Sequence, residues 1–408
     1  MKVAILNTVA LNGGDAAILQ AVMALARSAF GEDTTFVVFD THAEVAQRHY
    51  PAIHFRPQLW VSATKGRTLP GDLNALRVFA AIDLPRMRKL LLGDEERESI
   101  SIISQCDLVV STGGTYFVPT YRLRPRAFEL AVAQGLEKPC VLFTQSIGHF
   151  PRWLDRYHLR VLLQKAGLVM LRDPPSLANV LALGVPSSKC VVSPDAVFGI
   201  AEPGTLSRAS TRRLPARSPR IVISVRDLTR FGSRQRQAIF EGAIVVLTAH
   251  LVNAHDARVS FLSTCQGIPE YGIDDSEVAT RIVAGLGPAV REKVEVDRAF
   301  HPPEEIARRL GEADLVVATR MHAGILALTA GTPVLPIAYE FKTKELFESL
   351  GFGDHVLEAQ KLTEPSVIGA ADRFIREIDS RRADLFARVE ELRVRVRTDA
   401  LRLREVVR

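Results

Sequence analysis

Residues 312–340 read EADLVVATRMHAGILALTAGTPVLPIAYE, and their reading decides the fold. Residues 315–318 are a short, unbroken apolar run, the pattern of a strand buried on both faces of a parallel sheet. Residues 323–330 are small and helix-compatible, and Gly331 followed by Pro333 ends them. Residues 334–338 read as the next strand. Thr319, Arg320 and His322 therefore fall where a strand turns into a helix N-terminus, a place whose N–H groups and dipole attract anions. A guanidinium and an imidazole added there make a site for a phosphate or a carboxylate. The competing reading pairs Arg320 with a local acid and uses His322 to cap the turn.

The same device recurs upstream, where Asp107-Leu-Val-Val-Ser-Thr-Gly-Gly114 echoes Asp314-Leu-Val-Val-Ala-Thr-Arg-Met321. At the start of the chain a strand over residues 3–6 leads through Asn12-Gly13-Gly14-Asp15 into a helix over 16–30, with Ile18, Leu19, Val22 and Leu25 on its apolar face. This is a phosphate-type turn but neither Gly-x-Gly-x-x-Gly nor a P-loop. Gly13 and Gly14 would let the backbone approach a ligand. Asp15 either caps the helix or accepts a hydrogen bond or proton from substrate. Strands over 36–39, 141–144, 168–171 and 191–192 follow, and their tips carry Gln145-Ser146, Arg172-Asp173 and Asp195. Ligands of open parallel sheets bind beyond such tips. Residues 202–219, rich in Pro, Ser and Arg and without periodicity, are predicted as a linker. A second domain then opens with a strand over 221–225 that delivers Arg226. The predicted organisation is a Rossmann-like domain over 1–201, the linker, a second Rossmann-like domain over 220–360, and amphipathic helices over 361–408. The last rest on Leu385, Val389, Leu392, Val396, Leu403 and Val407 at helical spacing. Between residues 55 and 105, Leu73, Leu76, Leu84 and Met87 alternate with Arg77, Arg86, Arg88 and Lys89. Such a segment either packs on its own domain or rests on an anionic membrane face and collects a lipid-linked acceptor.

Bulk properties narrow the classes. A chain of 408 residues calls for two α/β domains. Lys and Arg exceed Asp and Glu by 52 − 46 = 6, which fits anionic substrates. No zinc-finger spacing or RNA-binding aromatic pattern accompanies the charge, so nucleic acid is not an expected partner. Cys106, Cys140, Cys190 and Cys265 are far apart, which argues against a metal cage or disulfide framework and for a reducing compartment. The N-terminus reads as a first strand, not a signal peptide, and no segment reads as a span of about 20 apolar residues. The expected location is cytoplasmic, with peripheral contact at the inner membrane face as the second reading of the basic segment. No His-Glu-x-x-His, two-metal carboxylate cluster or hydrolase elbow is present, so neither a metal nor a cofactor is expected.

In order and spacing the fragments resemble the polysaccharide pyruvyl transferase family over most of the chain. They are Asn12-Gly13-Gly14-Asp15 with Ala17-Ile18-Leu19, Ser111-Thr112-Gly113-Gly114, Gln145-Ser146-Ile147-Gly148, Leu171-Arg172-Asp173, Asp195, Arg226, Arg320-Met321-His322-Ala323, Tyr339, Lys342 and Leu350-Gly351. The resemblance implies an α/β fold of two Rossmann-like domains whose parallel sheets face a central cleft, similar to GT-B glycosyltransferases. It also implies transfer of the enolpyruvyl carbons of phosphoenolpyruvate to two hydroxyls of a glycan sugar, giving a cyclic ketal and phosphate. The acceptor would be a glycan or a lipid-linked saccharide. The family's Arg-x-His segment, implicated in donor binding and catalysis, maps onto Arg320 and His322. His322 is then the expected general acid/base, Asp15 orients or deprotonates the acceptor hydroxyl, and Asp195 is in reserve. Arg226, Arg320 and Met321 would hold the donor. Asn12, Gly13, Gly14, Thr112, Gly113, Gly114, Gln145, Ser146, Arg172, Glu340 and Lys342 complete the expected binding set.

Two departures fall on the half expected to hold the acceptor, whose identity stays open. Ala16 stands where the family often has Glu, and His149-Phe150 where Pro is common. The rival reading is a GT-B glycosyltransferase or epimerase using a nucleotide-sugar. Glu340 could serve a ribose there, but the turn at 320–322 suits a compact dianion better than a diphosphate.

Overall fold

The computed structural model describes residues 1–65 and 71–407. Apolar runs bounded by polar tips become the strands of two parallel sheets, because side chains buried on both faces need helices above and below them. The first sheet contains β1 (Lys2–Thr8), β2 (Thr35–Asp40), β3 (Phe55–Pro57), β4 (Leu108–Ser111), β5 (Gly114–Phe117), β6 (Cys140–Ile147), β7 (Leu168–Leu171) and β8 (Cys190–Val192). Their order is β3-β2-β1-β4-β6-β7-β8, with β5 paired to β6. The second sheet contains β9 (Arg220–Ser224), β10 (Arg258–Phe261), β11 (Val294–Val296), β12 (Leu315–Ala318), β13 (Val334–Ala338) and β14 (Leu357–Glu358), in the order β11-β10-β9-β12-β13-β14. Strand order reverses between β1 and β4 in the first sheet and between β9 and β12 in the second. Those reversals are where open α/β sheets bind ligands.

The chain divides into two compact units. One comprises Met1–Leu11, Ile18–Gly199 and Val394–Arg408, the other Asn12–Ala17 and Ile200–Arg393. The first unit has its main core on the sheet, with Leu6, Val109, Leu142 and Val169 all fully buried. A smaller cluster of Leu59, Val78, Ala81, Ile82, Phe128 and Val132 secures the helix Gly71–Asp83.

This division corrects the expected boundaries at three places. Within the expected linker over 202–219 lies the helix Thr205–Thr211, whose Leu206 and Ala209 are buried. Arg212 pairs with Asp314, and a Cβ on Gly331 would lie 2.8 Å from that of Ala209. The expected C-terminal helices form one long helix, Glu364–Ala400, and a short one, Leu403–Val406. Its residues up to Arg393 group with the second unit and those from Val394 with the first. Finally, Asn12–Ala17 leaves the N-terminal unit, so the Asn-Gly-Gly-Asp motif belongs with the second sheet.

One helix among the described residues, Arg234–His255, is long and apolar enough to cross a membrane by length and composition, contrary to the expectation of no such segment. Its Phe240, Ile244, Leu247 and Leu251 are fully buried, as in a core helix.

Candidate active site

The second sheet places four strand ends side by side. β9 leads to Arg226, β10 to Ser263, Thr264 and Cys265, β12 to Thr319, Arg320 and His322, and β13 to Tyr339 and Glu340. The N–H of Thr319 donates to Ser224 O at 2.8 Å and so ties the tip of β12 to that of β9. Arg320 then adopts extended angles (φ −81°, ψ 120°) as the residue before the helix Met321–Thr329.

The two arginines expected on the donor meet different fates. Arg320 is only 8% exposed, and its Nε and Nη2 donate to Asp275 Oδ2 and Oδ1 at 2.7 and 2.9 Å. Asp275 is fully buried, and Ser263 Oγ lies 2.9 Å from its Oδ2. Arg320 is thus held in a bidentate buried pair, with an acid 45 residues upstream and not a local one, so the open cation expected for the donor is already partnered here. Arg226 is half-buried beside two adjacent aromatic rings, with its guanidinium carbon 4.8 Å from the Phe231 ring centroid and 4.4 Å from that of Tyr339, the two centroids lying 4.9 Å apart. Its Nη1 donates to the Tyr339 hydroxyl, while its buried Nε meets no hydrogen-bond acceptor among the described residues. Burial raises the Tyr339 pKa against the opposing influence of Arg226, so the phenol stays protonated.

Gly13 and Gly14 are used differently from expectation. The N–H of Gly13 donates to Thr264 O at 2.8 Å, and a Cβ there would lie 2.4 Å from the same oxygen. A Cβ on Gly14 would come within 2.8 Å of His322 Nδ1. The space that these glycines leave is filled by the chain itself: the first turn of the helix Gly13–Phe30 lies directly against the imidazole. Asn12 Oδ1 accepts from the Gly14 N–H at 3.0 Å, and its side chain also hydrogen-bonds Tyr271. Asp15, half-buried in the first turn of the helix Gly13–Phe30, acts electrostatically on Cys265 and Tyr271. Burial, opposed by Arg320, pushes the Cys265 thiol up to about 11, which favours the neutral form. Met321 and Glu340 are half-buried at helix starts, and Lys342 Nζ sits 5.9 Å from the Phe341 ring centroid.

The remaining expected residues form a separate network in the first unit. Thr112 Oγ1 donates to Asn7 O at 2.8 Å, and Gln145, fully buried, donates to Thr112 O. Gly113 lies against Thr144, where a Cβ would be 2.6 Å from Oγ1, and Gly114 has φ +125°. Arg172 donates to Asp195 Oδ2 at 2.7 Å, to Ser146 Oγ at 3.0 Å and to Thr115 Oγ1 at 3.2 Å. Ser146 Oγ donates in turn to Asp173, which caps the helix Pro174–Ala182. Asp195 is 5% exposed and also accepts from the Val197 N–H. Asp195, the reserve catalytic candidate, is thus the counter-ion of Arg172 here, and Thr112, Gln145, Ser146 and Arg172 make hydrogen bonds that join neighbouring strand ends.

Sequence reasoning missed Asp275, Tyr271, Phe231 and Thr264. Asp275 follows the helix cap Asp274, a legible signal for a helix start but not for a partner of Arg320. It also did not foresee two groups of possible metal ligands away from this site. His250 and His255 lie 2.7 and 3.0 Å from Asp372 Oδ1. In the other, Asp354, His355 and Glu377, Arg381 Nη1 already lies 2.8 Å from His355 Nε2.

An α/β chain with two parallel sheets and polar residues clustered at strand carboxyl ends defines the GT-B-like class, and solved structures agree. A UDP-GlcNAc 2-epimerase from Neisseria meningitidis bound to UDP-GlcNAc superposes with a TM-score of 0.59 at 11% identity, covering 99% of this chain and 100% of the other. Anabaena Alr3699/HepE in complex with UDP-glucose gives a TM-score of 0.55 at 13% identity, covering 99% of each chain. At such identities the likeness is one of fold. The family profile of polysaccharide pyruvyl transferase matches residues 12–340, and the chain belongs to that family. The amylovoran biosynthesis protein AmsJ of Erwinia amylovora is 26% identical over 307 residues, 72% of this chain and 71% of that protein.

Proposed function

We propose that this chain transfers the enolpyruvyl carbons of phosphoenolpyruvate onto two hydroxyls of a saccharide, forming a cyclic pyruvate ketal and releasing phosphate. The observation that carries the reading is the family match over residues 12–340, which spans Asn12–Asp15, Arg226 and the Arg320–His322 turn. Arg226, set beside Phe231 and Tyr339, pairs with an anionic group of the donor. Protonation of the donor's methylene carbon makes the central carbon electrophilic, and a first hydroxyl oxygen bonds to it. The bond to the phosphate oxygen then breaks, and a second hydroxyl oxygen closes the ring. One hydroxyl proton ends on the new methyl group and the other leaves on hydrogen phosphate, so solvent supplies no net proton. His322, pressed against Gly14, relays the first proton, and Asp15 orients the acceptor. Arg320 acts through Asp275 by holding the turn.

The test is phosphate release from phosphoenolpyruvate across a panel of free and lipid-linked saccharides. Arg226→Met should raise KM for the donor, and His322→Gln should lower kcat by about 10²–10⁴-fold. Full activity in both variants would remove these assignments. Release of UDP from UDP-sugars, with no phosphate from phosphoenolpyruvate, would move the chain to the nucleotide-sugar reading.

A further inference from the structure

We propose that the face formed by the helix Gly71–Asp83 and the turns that follow it to Leu91 docks on an anionic lipid bilayer. The helix buries Asn74, Val78, Ala81 and Ile82, and the Phe79 ring packs edge-on to Phe128 at 5.6 Å, so one side is committed to the protein core. At 100° per residue Leu73 and Leu76 lie on the other side, and they are 49% and 62% exposed. The apolar strip continues past the helix end with Leu84 at 56%, Met87 at 39% and Leu90 at 77% exposure. A helix that served only its own fold would carry polar groups there.

Charge selects the occupant. Residues 84–92, LPRMRKLLL, hold three cations and no acid. Arg88 Nε donates to Ala81 O at 3.0 Å, whereas Arg86 and Lys89 are exposed among the leucines. Leucines that enter the acyl boundary beside cations that reach phosphate headgroups are the pattern of an interfacial segment. A second copy on the same face would bring like charges together, which disfavours self-association. The first turn of the helix, Gly71 and Asp72, also lines a cavity of about 760 Å³ together with Trp60, Tyr121, Arg122 and Arg152. Resting on the function proposed above, this makes the acceptor a saccharide held in that membrane by a lipid anchor and offered to the cavity. The docking itself does not depend on that reading.

The experiment is co-sedimentation of the full chain with phosphatidylcholine vesicles, with and without phosphatidylglycerol, and needs no donor or acceptor. Binding to the anionic vesicles is expected, falling with added salt and about tenfold or more in Leu76→Glu/Leu90→Glu and in Arg86→Glu/Lys89→Glu. Unchanged melting by circular dichroism is expected for both exposed-site variants. A wild-type chain that stays in the supernatant, or a leucine variant that sediments like wild type, would overturn the proposal. So would a solution dimer broken by Leu76→Glu without vesicle binding, which assigns the face to a second copy. Vesicle binding together with no phosphate release anywhere in the saccharide panel would leave the docking standing and count against the transferase reading alone.

Discussion

Arg320 and Asp275 form a buried ion pair across the second sheet, and that pairing governs what a substitution at either end does. Removing one partner strands the other charge, so Arg320→Ala and Asp275→Ala should each lower stability by about 3–5 kcal/mol. The double variant should lose less than the sum. Additive losses in denaturant unfolding would show that the pair is not coupled. Arg226 could be picked out in the sequence because it sits directly on a strand tip. The engagement of Arg320 could not, since its partner lies 45 residues upstream and no local pattern records a contact across a sheet. Glu129 was likewise invisible. Burial lifts its pKa to about 8, against the hydrogen bond from the Leu59 N–H. The raised value means the folded state holds a proton that the unfolded state gives up near the carboxyl's ordinary value of 4.5. The stability is therefore fully present below that value and lost as pH rises towards about 8, by up to about 1.4 kcal/mol per pH unit. Glu129→Gln should flatten this decline, and melting curves with the same pH dependence as wild type would contradict it.

Short apolar runs between polar tips were the most readable elements. The runs at 315–318 and 334–338 are β12 and β13 to the residue, because continuous burial on both faces leaves little choice of residue type. The two-turn helix Thr205–Thr211 was misread as linker, since two buried residues, Leu206 and Ala209, do not establish a period. Loop geometry was half readable: the glycines announced a close approach, but not to which surface. Gly14→Ala tests the answer. Its Cβ would press on His322 at 2.8 Å, so turnover should fall about tenfold or more while the melting temperature changes little. A variant with normal kcat would place the imidazole outside the reaction.

The chain crosses between its two units more than once, a property that only long-range contacts reveal. Residues Val394–Arg408 close the first unit, burying Val396, Ala400 and Leu403, and Arg397 Nε donates to Gly199 O at 2.9 Å. Deleting 394–408 should cost that unit on the order of several kcal/mol from lost apolar burial. Calorimetry that shows an unchanged first transition would refute this. Near the other end of the chain, the Asn12–Ala17 loop reaches out of the same unit to sit with His322. A gene severed between codons 199 and 200 would therefore not encode two self-sufficient proteins. The upstream product would lack its closing helix and carry away the loop that its counterpart needs, so reconstitution requires both products together, as in a split-enzyme complementation.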